Sequence, residues 1–180
     1  PLNGRIRAAG NKNGALPILA ACLLTDEPVT LANVPRIRDV DTMLELLADL
    51  GADATWTGAN EVRVDATGAS KSAPDQALCS KIRASFLLAG PLLARFGHVA
   101  MPPPGGDVIG RRRLDPHIHA FSELGADIDL GGRLYEMDGR LRGADVFLDE
   151  ASVMATENTV MAAVLAEGET TLGNAACEPH

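Results

Sequence analysis

Aromatic residues are scarce in this 180-residue sequence, at 3%. Proteins that bind single-stranded nucleic acid use aromatic side chains as platforms on which bases stack, so this scarcity argues against that class. The net charge of −8 argues further against a polyanionic partner or an acidic membrane surface. No apolar run approaches the roughly 20 residues that a membrane span needs, and no signal-peptide pattern is present. We therefore expect neither a nucleic-acid partner nor a membrane partner, and a cytoplasmic location.

Cysteine is also rare, with three residues that lie far apart in the sequence: Cys22, Cys79 and Cys177. An odd number and the absence of CxxC spacing indicate neither a disulfide framework nor a zinc site, so a reducing compartment is the simplest interpretation. His117 and His119 are two residues apart on a predicted helix and point to different faces, which makes them a poor metal pair. We expect no metal and no cofactor.

What the sequence does contain is ordinary for a globular protein, with 46% apolar and 22% charged residues. The length suits one domain with a core or two small domains. The chain begins at Pro1 rather than Met and stops at His180, directly after a predicted strand. Both ends look cut, so we expect a fragment of a longer protein.

Apolar periodicity predicts alternating helices and strands. Three long apolar helices are expected, the second with a kink at Gly90 and Pro91: residues 15–24 with a start at 14–16, 76–96, and 153–166. Two shorter helices are expected, one capped by Asp39 or Asp41 and ended by Gly51, the other begun by Asp115 and Pro116 and ended by Gly125. The expected strands are residues 4–9, 29–34, 61–65, 98–101, 126–130, 133–137, 144–148 and 170–172.

These elements repeat at intervals of about 70 residues. Within the repeat, residues 49–53 match residues 123–127, and each unit reads long helix, strand, turn, shorter helix and paired strands. Because the long helices are apolar nearly all round, we expect them to be buried together with the sheets outside them.

Two stretches carry charges that could act on an anion. Lys12 and Asn13 lie at the start of the first long helix, where free N–H groups and the helix dipole favour negative charge. Residues 102–118 are rich in proline and glycine and hold Asp107, followed by three consecutive arginines and then Asp115. This composition is typical of a site for an anionic substrate with its own proton donor. A solvated turn before an exposed basic helix entry is an equally good interpretation.

Four stretches of the sequence resemble the motifs of UDP-N-acetylglucosamine 1-carboxyvinyltransferases, a family of enolpyruvyl transferases. They are residues 10–17 (GNKNGALP), 81–85 (KIRAS), 104–112 (PGGDVIGRR) and 174–179 (NAACEP). The resemblance covers essentially the whole chain at family-like spacing.

The resemblance implies an α/β fold, an inside-out α/β barrel of repeated βαβαββ units, of which about 2.3 are present here. It implies two such domains with the active site in the cleft between them. Residues 1–12 are then a strand or crossover segment that belongs to or lies near the missing second domain. Residues 13–180 form an incomplete catalytic domain with units of about 13–75, 76–150 and a truncated 151–180.

The resemblance also implies a reaction without a cofactor, in peptidoglycan precursor synthesis. The 3-hydroxyl of UDP-N-acetylglucosamine adds to C2 of phosphoenolpyruvate while C3 is protonated, and phosphate then leaves. This chemistry needs cations for a phosphate and a carboxylate, an acid for the carbon and a base for the hydroxyl.

Matching positions carry the family's roles onto this sequence. The positions that contact phosphoenolpyruvate are Lys12, Asn13 and Arg112. The positions that contact the nucleotide sugar are Arg83, Asp115, His117, Ser152 and Val153. For Asp115 a plain helix N-cap is an equally good interpretation.

Asp107 is the main departure from the family pattern. Many members have cysteine at this position, which donates the proton to carbon and traps the epoxide antibiotic fosfomycin. An aspartate can donate the same proton if loop closure desolvates it and raises its pKa. It is a poorer nucleophile than a thiolate, so the resemblance predicts a working enzyme that escapes the antibiotic. A second departure is Glu150, where some members have lysine near the nucleotide.

Two other functions compete with this one. The other enolpyruvyl transferase, which uses shikimate 3-phosphate, shares the fold but has a different lysine motif. A repeat domain that binds a ligand without catalysis is the rival from another class. We expect this chain alone to be inactive, because the family's general base and further arginines lie outside it and half a cleft cannot exclude water.

Overall fold

A computed structural model describes residues 2–106 and 113–180 of the chain. Its α-helices are α1 (Lys12–Ala21), α2 (Arg38–Asp49), α3 (Gln76–Cys79), α4 (Ala89–Phe96), α5 (Asp115–Glu123) and α6 (Val153–Val164). Two 3₁₀ helices span Cys22–Leu24 and Arg83–Leu88. The strands are β1 (Val29–Ala32), β2 (Asp53–Trp56), β3 (Glu61–Asp65), β4 (His98–Met101), β5 (Asp127–Asp129), β6 (Tyr135–Asp138), β7 (Asp145–Phe147) and β8 (Thr171–Gly173). The expected α/β class is confirmed.

The expected repeat appears as two three-stranded sheets with the same topology. One has the order β1-β3-β2 and the other β4-β6-β5, and all pairs in both are antiparallel. A third, parallel pair joins β7 to β8 across α6, with Val146 opposite Leu172. Closure into a barrel, the count of about 2.3 units and the division at residue 12 stay predictions.

The repeated Leu-Gly-Ala-Asp sequence ends a helix in the same way in both units. Gly51 and Gly125 have φ angles of 101° and 93°, in the left-handed region that glycine adopts without strain. In each unit the glycine N–H and the following alanine N–H donate to carbonyls of the last helical turn. This is the Schellman arrangement, which satisfies carbonyls that a helix end leaves free. The sequence repeat is therefore a repeat of local backbone geometry.

The second long helix, expected over residues 76–96, is interrupted. α3 ends at Cys79, the chain turns, and a 3₁₀ helix leads from Arg83 into α4. The Ser85 hydroxyl bonds to Cys79 O at 3.1 Å and to Ile82 O at 2.9 Å, and Gly105 N donates to Cys79 O at 3.1 Å. These partners satisfy carbonyls that the interruption removes from the helix, which is why the break is stable.

The expected kink at Gly90 and Pro91 is absent from the described chain, because both residues lie in the first turn of α4. Proline is tolerated there, since its missing N–H has no helical partner in any case. Gly90 instead permits close helix packing. A Cβ atom at this position would lie 2.5 Å from Asn158 O on α6.

Several expected boundaries are wrong. Residues 4–9 lie outside the strands of the described chain, and Leu2 and Ile6 are fully exposed. The first helix begins at Lys12, two residues before the expected start, because Asn11 caps it. Neither Asp39 nor Asp41 is the cap of α2, since both lie within its first turn and Ile37 is the N-cap residue.

The expected burial of the long helices is confirmed in part: residues 89–93 of α4 are buried and residues 94–96 half-buried, while α1 and α6 each include exposed residues. Leu92 and Leu93 of α4 are fully buried. Ile18 on α1 and Val160 on α6 are about half exposed and line an apolar groove of about 300 Å³ between the two helices. The described helices include none that is both long enough and apolar enough to cross a membrane.

Candidate active site

A cleft of about 480 Å³ lies where the N-terminal ends of α1, the 3₁₀ helix Arg83–Leu88 and α6 meet. Its lining residues are Lys12, Asn13, Leu16, Pro17, Asp39, Lys81, Ile82, Arg83, Ala84, Leu87, Gly106, Val153, Met154, Glu157 and Glu178. Of the expected site residues, the cleft brings together Lys12, Asn13, Arg83 and Val153. These residues come from positions up to 141 apart in the sequence.

Three backbone amides in the first turn of α1 are already hydrogen-bonded. Asn11 Oδ1 accepts from Asn13 N at 2.7 Å and from Gly14 N at 3.4 Å, and Asn11 O accepts from Ala15 N at 3.0 Å. The expectation that free N–H groups would receive an anion here is therefore wrong for these three amides. An anion at this end would be met by the Lys12 ammonium and the Asn13 amide.

Lys12 forms an ion pair with Asp39, which lies in the first turn of α2. The two side chains are 50% and 31% exposed. A solvated pair of this kind contributes about 0–1 kcal/mol, so an incoming anion displaces it at small cost. Asp39 thus orients the ammonium toward the cleft without holding it strongly.

The interruption after α3 places two further cations at the cleft. Lys81 lies 3.3 Å from Glu45 of α2, and both side chains are more than half exposed. Arg83 begins the 3₁₀ helix and its Nη2 lies 3.5 Å from Arg113 O. In a continuous helix these residues would lie mid-helix, so the break is what turns them toward the site.

Asp107 and Arg112 lie outside the described residues. The residues that flank this segment, Gly106 and Arg113, both lie against Arg83. A Cβ atom at Gly106 would lie 2.9 Å from Arg83 N, and its φ of 87° favours glycine. Gly106 itself lines the cleft.

Asp115 is the first residue of α5, and Leu114 occupies the N-cap position, so the interpretation of Asp115 as the N-cap is wrong. Its carboxylate accepts from Arg113 Nε at 3.0 Å. This bond, with the nearby charges of Asp115 and Asp149, raises the pKa of Arg113. Asp115 lies outside the residues that line the cleft.

His117 is buried behind the cleft, with 2% of its surface exposed. Its ring packs edge-on against Phe86 with 5.1 Å between ring centroids. Burial, aided by the positive charge of Arg83, lowers the pKa of His117 to about 4, so the ring is neutral at pH 7. His119 is exposed on another face of α5, as the two-residue spacing predicts. A direct contact between the His117 side chain and a nucleotide sugar stays a prediction that this placement does not favour.

Ser152 and Val153 begin α6. Ser152 is its N-cap, and the Ser152 hydroxyl accepts from Ala155 N at 3.3 Å. Val153 follows at the cleft wall. Glu150 is exposed, and its carbonyl accepts from Ser152 N at 2.7 Å. A diphosphate contact by Ser152 would have to share the hydroxyl with its capping role.

Three acidic residues of the cleft were not expected as site residues: Asp39, Glu157 and Glu178. Glu157 bonds to His180 Nε2 at 3.0 Å, and the two side chains are 15% and 14% exposed. Burial raises the pKa of Glu157, against the lowering effect of His180. Sequence reasoning could have found Glu157, because it is the one charged residue in the otherwise apolar or neutral sequence of α6.

The cleft therefore presents three cations and three carboxylates within reach of one small ligand. Such a mixed lining suits a ligand that carries anionic groups together with hydroxyl groups. Within residues 2–106 and 113–180, no cluster of three or more potential metal-ligating His, Cys, Asp or Glu side chains occurs.

Comparison with known proteins places these features in a wider group. A family model described as EPSP synthase (3-phosphoshikimate 1-carboxyvinyltransferase) matches residues 1–180. The chain is 58% identical over 179 residues to a UDP-N-acetylglucosamine 1-carboxyvinyltransferase of Bradyrhizobium diazoefficiens, covering 99% of this chain and 42% of that protein. It is 51% identical over 180 residues to the protein of that name from Treponema denticola, covering 100% of this chain and 42% of that protein. The chain thus spans less than half the length of these relatives.

Solved structures share the fold. The enolpyruvyl transferase NikO from Streptomyces tendae superposes with a TM-score of 0.76 at 24% identity, covering 95% of this chain and 40% of that one. EPSP synthase from Acinetobacter baumannii superposes with a TM-score of 0.73 at 19% identity, covering 98% of this chain and 40% of that one. At these identities the likeness establishes the fold alone.

Proposed function

The chain belongs to the EPSP synthase family, and from this premise we propose that it forms part of an enzyme that transfers enolpyruvyl from phosphoenolpyruvate to the 3-hydroxyl of UDP-N-acetylglucosamine. Relatives at 48–58% identity carry the name of that activity. The product would serve peptidoglycan precursor synthesis.

The observation that carries the proposal is the convergence of Lys12, Asn13 and Arg83 on one cleft. Phosphoenolpyruvate has a phosphate and a carboxylate, and both need cationic or hydrogen-bond-donating partners. The Lys12 ammonium and the Asn13 amide supply these at one end of the cleft. Arg83 lines the same cleft from the 3₁₀ helix, and we assign it to the diphosphate of the nucleotide sugar.

The proposed reaction gives the cations of the cleft a use. The sugar 3-hydroxyl gives its proton to a general base as its oxygen forms a bond to C2 of phosphoenolpyruvate, and a proton is added to C3. The C2–O bond to phosphate then breaks as a proton leaves C3, which restores the double bond. Cations beside the phosphate stabilise the negative charge that develops on the leaving group. Release of Lys12 from Asp39 on binding would supply one of them.

Asp107 is our proposed proton donor to C3, and Arg112 a further contact to phosphoenolpyruvate. The support for both is that the flanking residues Gly106 and Arg113 contact Arg83. A carboxylic acid is less nucleophilic toward an epoxide than a thiolate. We expect fosfomycin to leave the full-length enzyme active at concentrations that inactivate a variant with Asp107→Cys. Equal inactivation of both proteins would contradict the assignment.

The activity belongs to a longer protein, since the relatives are more than twice as long as this chain. We propose that their remaining length supplies a second domain, the opposite wall of the cleft and the general base. The 180-residue chain alone should then release no phosphate from the two substrates. Turnover by this chain would refute that division of roles.

The test is phosphate release by the full-length protein, with UDP-N-acetylglucosamine and shikimate 3-phosphate offered separately as acceptors. We expect activity with the amino sugar only. Lys12→Met should lower kcat/KM by about 100-fold or more, because a charge that stabilises the leaving phosphate is lost. Lys71→Met is the matched control, since Lys71 forms an exposed pair with Asp49 at 2.8 Å outside the cleft lining. Activity with shikimate 3-phosphate, or equal loss in both variants, would refute the proposal.

A further inference from the structure

We propose that Asn158 is a positioning residue, which holds His117 as the neutral tautomer with its proton on Nε2 and ties two elements that line the cleft, α6 and the 3₁₀ helix Arg83–Leu88, to α4 and α5. The assignment of the tautomer stands on geometry alone. Its consequence for catalysis rests on the function proposed above.

Asn158 is the most connected polar side chain of α6 and is fully buried. Its Oδ1 accepts from Gly90 N at 2.9 Å, at the start of α4. Its Nδ2 donates to Phe86 O at 2.9 Å, in the 3₁₀ helix. The same Nδ2 lies 2.9 Å from His117 Nδ1 on α5. One amide therefore connects α6 to three other elements.

The backbone partners determine which way the amide faces. An N–H group can only donate and a carbonyl can only accept, so Oδ1 must face Gly90 and Nδ2 must face Phe86. The second Nδ2 hydrogen then points at His117 Nδ1. That nitrogen must accept, which leaves the ring proton on Nε2. A protonated Nδ1 would set two donors against each other in a buried place, which is costly.

The surroundings of the His117 ring also favour its neutral form. Phe86 covers it edge-on, and Arg83 is the charged group whose field reaches it. Two nearby carboxylates are engaged elsewhere: Glu157 of α6 with His180, and Asp115 of His117's own helix with Arg113. Among the described residues, the polar side chain bonded to the ring is the Asn158 amide, and no carboxylate is placed to stabilise an imidazolium form of His117.

The hydrogen-bonded group around Asn158 matters for the cleft because two of its members, Phe86 and Asn158, share an element with lining residues. Phe86 follows Arg83 in one 3₁₀ helix, and Asn158 follows Val153 and Glu157 in α6. A Cβ atom at Gly90 would lie only 2.5 Å from Asn158 O, which shows how closely α4 and α6 approach. A change of partner at Asn158 therefore shifts one cleft wall relative to another. This accounts for a histidine at position 117 without a direct contact to substrate.

The primary experiment is nitrogen-15 NMR of histidine-labelled full-length protein, with the His117 signals assigned by their loss in His117→Gln. We expect the Nε2–H pattern, unchanged between pH 8 and pH 5.5. A ring that carries its proton on Nδ1, or that titrates near pH 6.5, would overturn the proposal. The readout needs no turnover, so it is decided separately from the proposed reaction.

Asn158→Asp supplies the second readout, since a carboxylate replaces the donor that faces Nδ1. We expect His117 to become protonated at Nδ1 and to titrate above pH 6.5. We also expect KM for the nucleotide sugar to rise about tenfold with kcat changed less than about threefold, as a misplaced wall weakens binding.

His119→Gln, on the exposed face of α5, is the control and should change neither value. If the His117 signal is unchanged in a folded Asn158→Asp protein, Asn158 does not hold the tautomer of His117. If KM is unchanged in that protein, Asn158 has no positioning role. If that variant fails to fold, the wild-type spectrum still decides the tautomer.

Discussion

His117 should make the stability of this protein depend on pH in a defined window. Its folded-state pKa is lowered from 6.5 to about 4 by burial and by Arg83. Above pH 6.5 the ring is neutral in both the folded and unfolded states, so it adds no pH dependence. As the pH falls from 6.5 toward 4, the unfolded chain takes up a proton that the folded protein does not, and the folded state loses stability. Below about pH 4 the effect levels off.

The magnitude follows from the shift. A difference of about 2.5 pKa units corresponds to roughly 3 kcal/mol at 1.36 kcal/mol per unit. Typical domains are stable by about 5–15 kcal/mol, so one residue accounts for a substantial part of the acid sensitivity. Relaxation of the fold or entry of water would make the loss smaller but would leave its sign unchanged.

Urea unfolding at pH 7, 6, 5 and 4.5 measures this loss, with wild type compared to His117→Gln and His119→Gln. Carboxylates titrate in the same range, so the informative quantity is the difference between variants at each pH. We expect the free energy of unfolding of wild type to fall by about 2 kcal/mol more than that of His117→Gln between pH 7 and pH 4.5. His119→Gln is the control, because His119 is an exposed histidine on the same helix. Parallel curves for wild type and His117→Gln would refute the burial of a neutral ring.

Three further outcomes are expected. Gly90→Ala should lower the free energy of unfolding in urea by about 1–3 kcal/mol, because the added Cβ would lie 2.5 Å from a carbonyl oxygen of α6. Gly58→Ala is its control and should cost less than about 1 kcal/mol, because the Cβ there would lie 3.4 Å from the nearest side-chain atom. Arg95→Met should lower the free energy of unfolding by about 2 kcal/mol, because the Arg95 guanidinium donates to two part-buried carbonyls at 2.8 and 3.1 Å. Arg140→Met removes one partner of an exposed ion pair and should be nearly neutral, so equal losses in the two variants would contradict this account. Cys177 should react with a thiol reagent at pH 8 far faster than the two buried cysteines, whose pKa values burial raises to about 11; fast labelling of all three in the folded protein would contradict their burial.

The sequence by itself determined the features that depend on neighbouring residues. The alternation of Val62 and Val64 with charged residues predicted β3, where both valines are buried and their neighbours face outward. The glycines of the two Leu-Gly-Ala-Asp segments ended α2 and α5 as expected. Strand alternation and helix termination are set within a few residues, so they can be derived from the chain alone. The family motifs likewise singled out Lys12, Asn13 and Arg83, which line one cleft, while their roles in binding stay predictions.

Only the tertiary structure decided features whose partners are distant in sequence. Apolar content predicted one helix over residues 76–96, yet Gly105 packs against Ser80 so closely that a Cβ would lie 1.7 Å from its carbonyl, and the helix is interrupted there. The same holds for Asp39, which pairs with Lys12 rather than capping its own helix. His117 was expected at the substrate and lies behind the cleft, bonded to Asn158 41 residues away. Each outcome is a competition between a local preference of about 1 kcal/mol or less and burial or hydrogen bonding supplied by another element, which is larger.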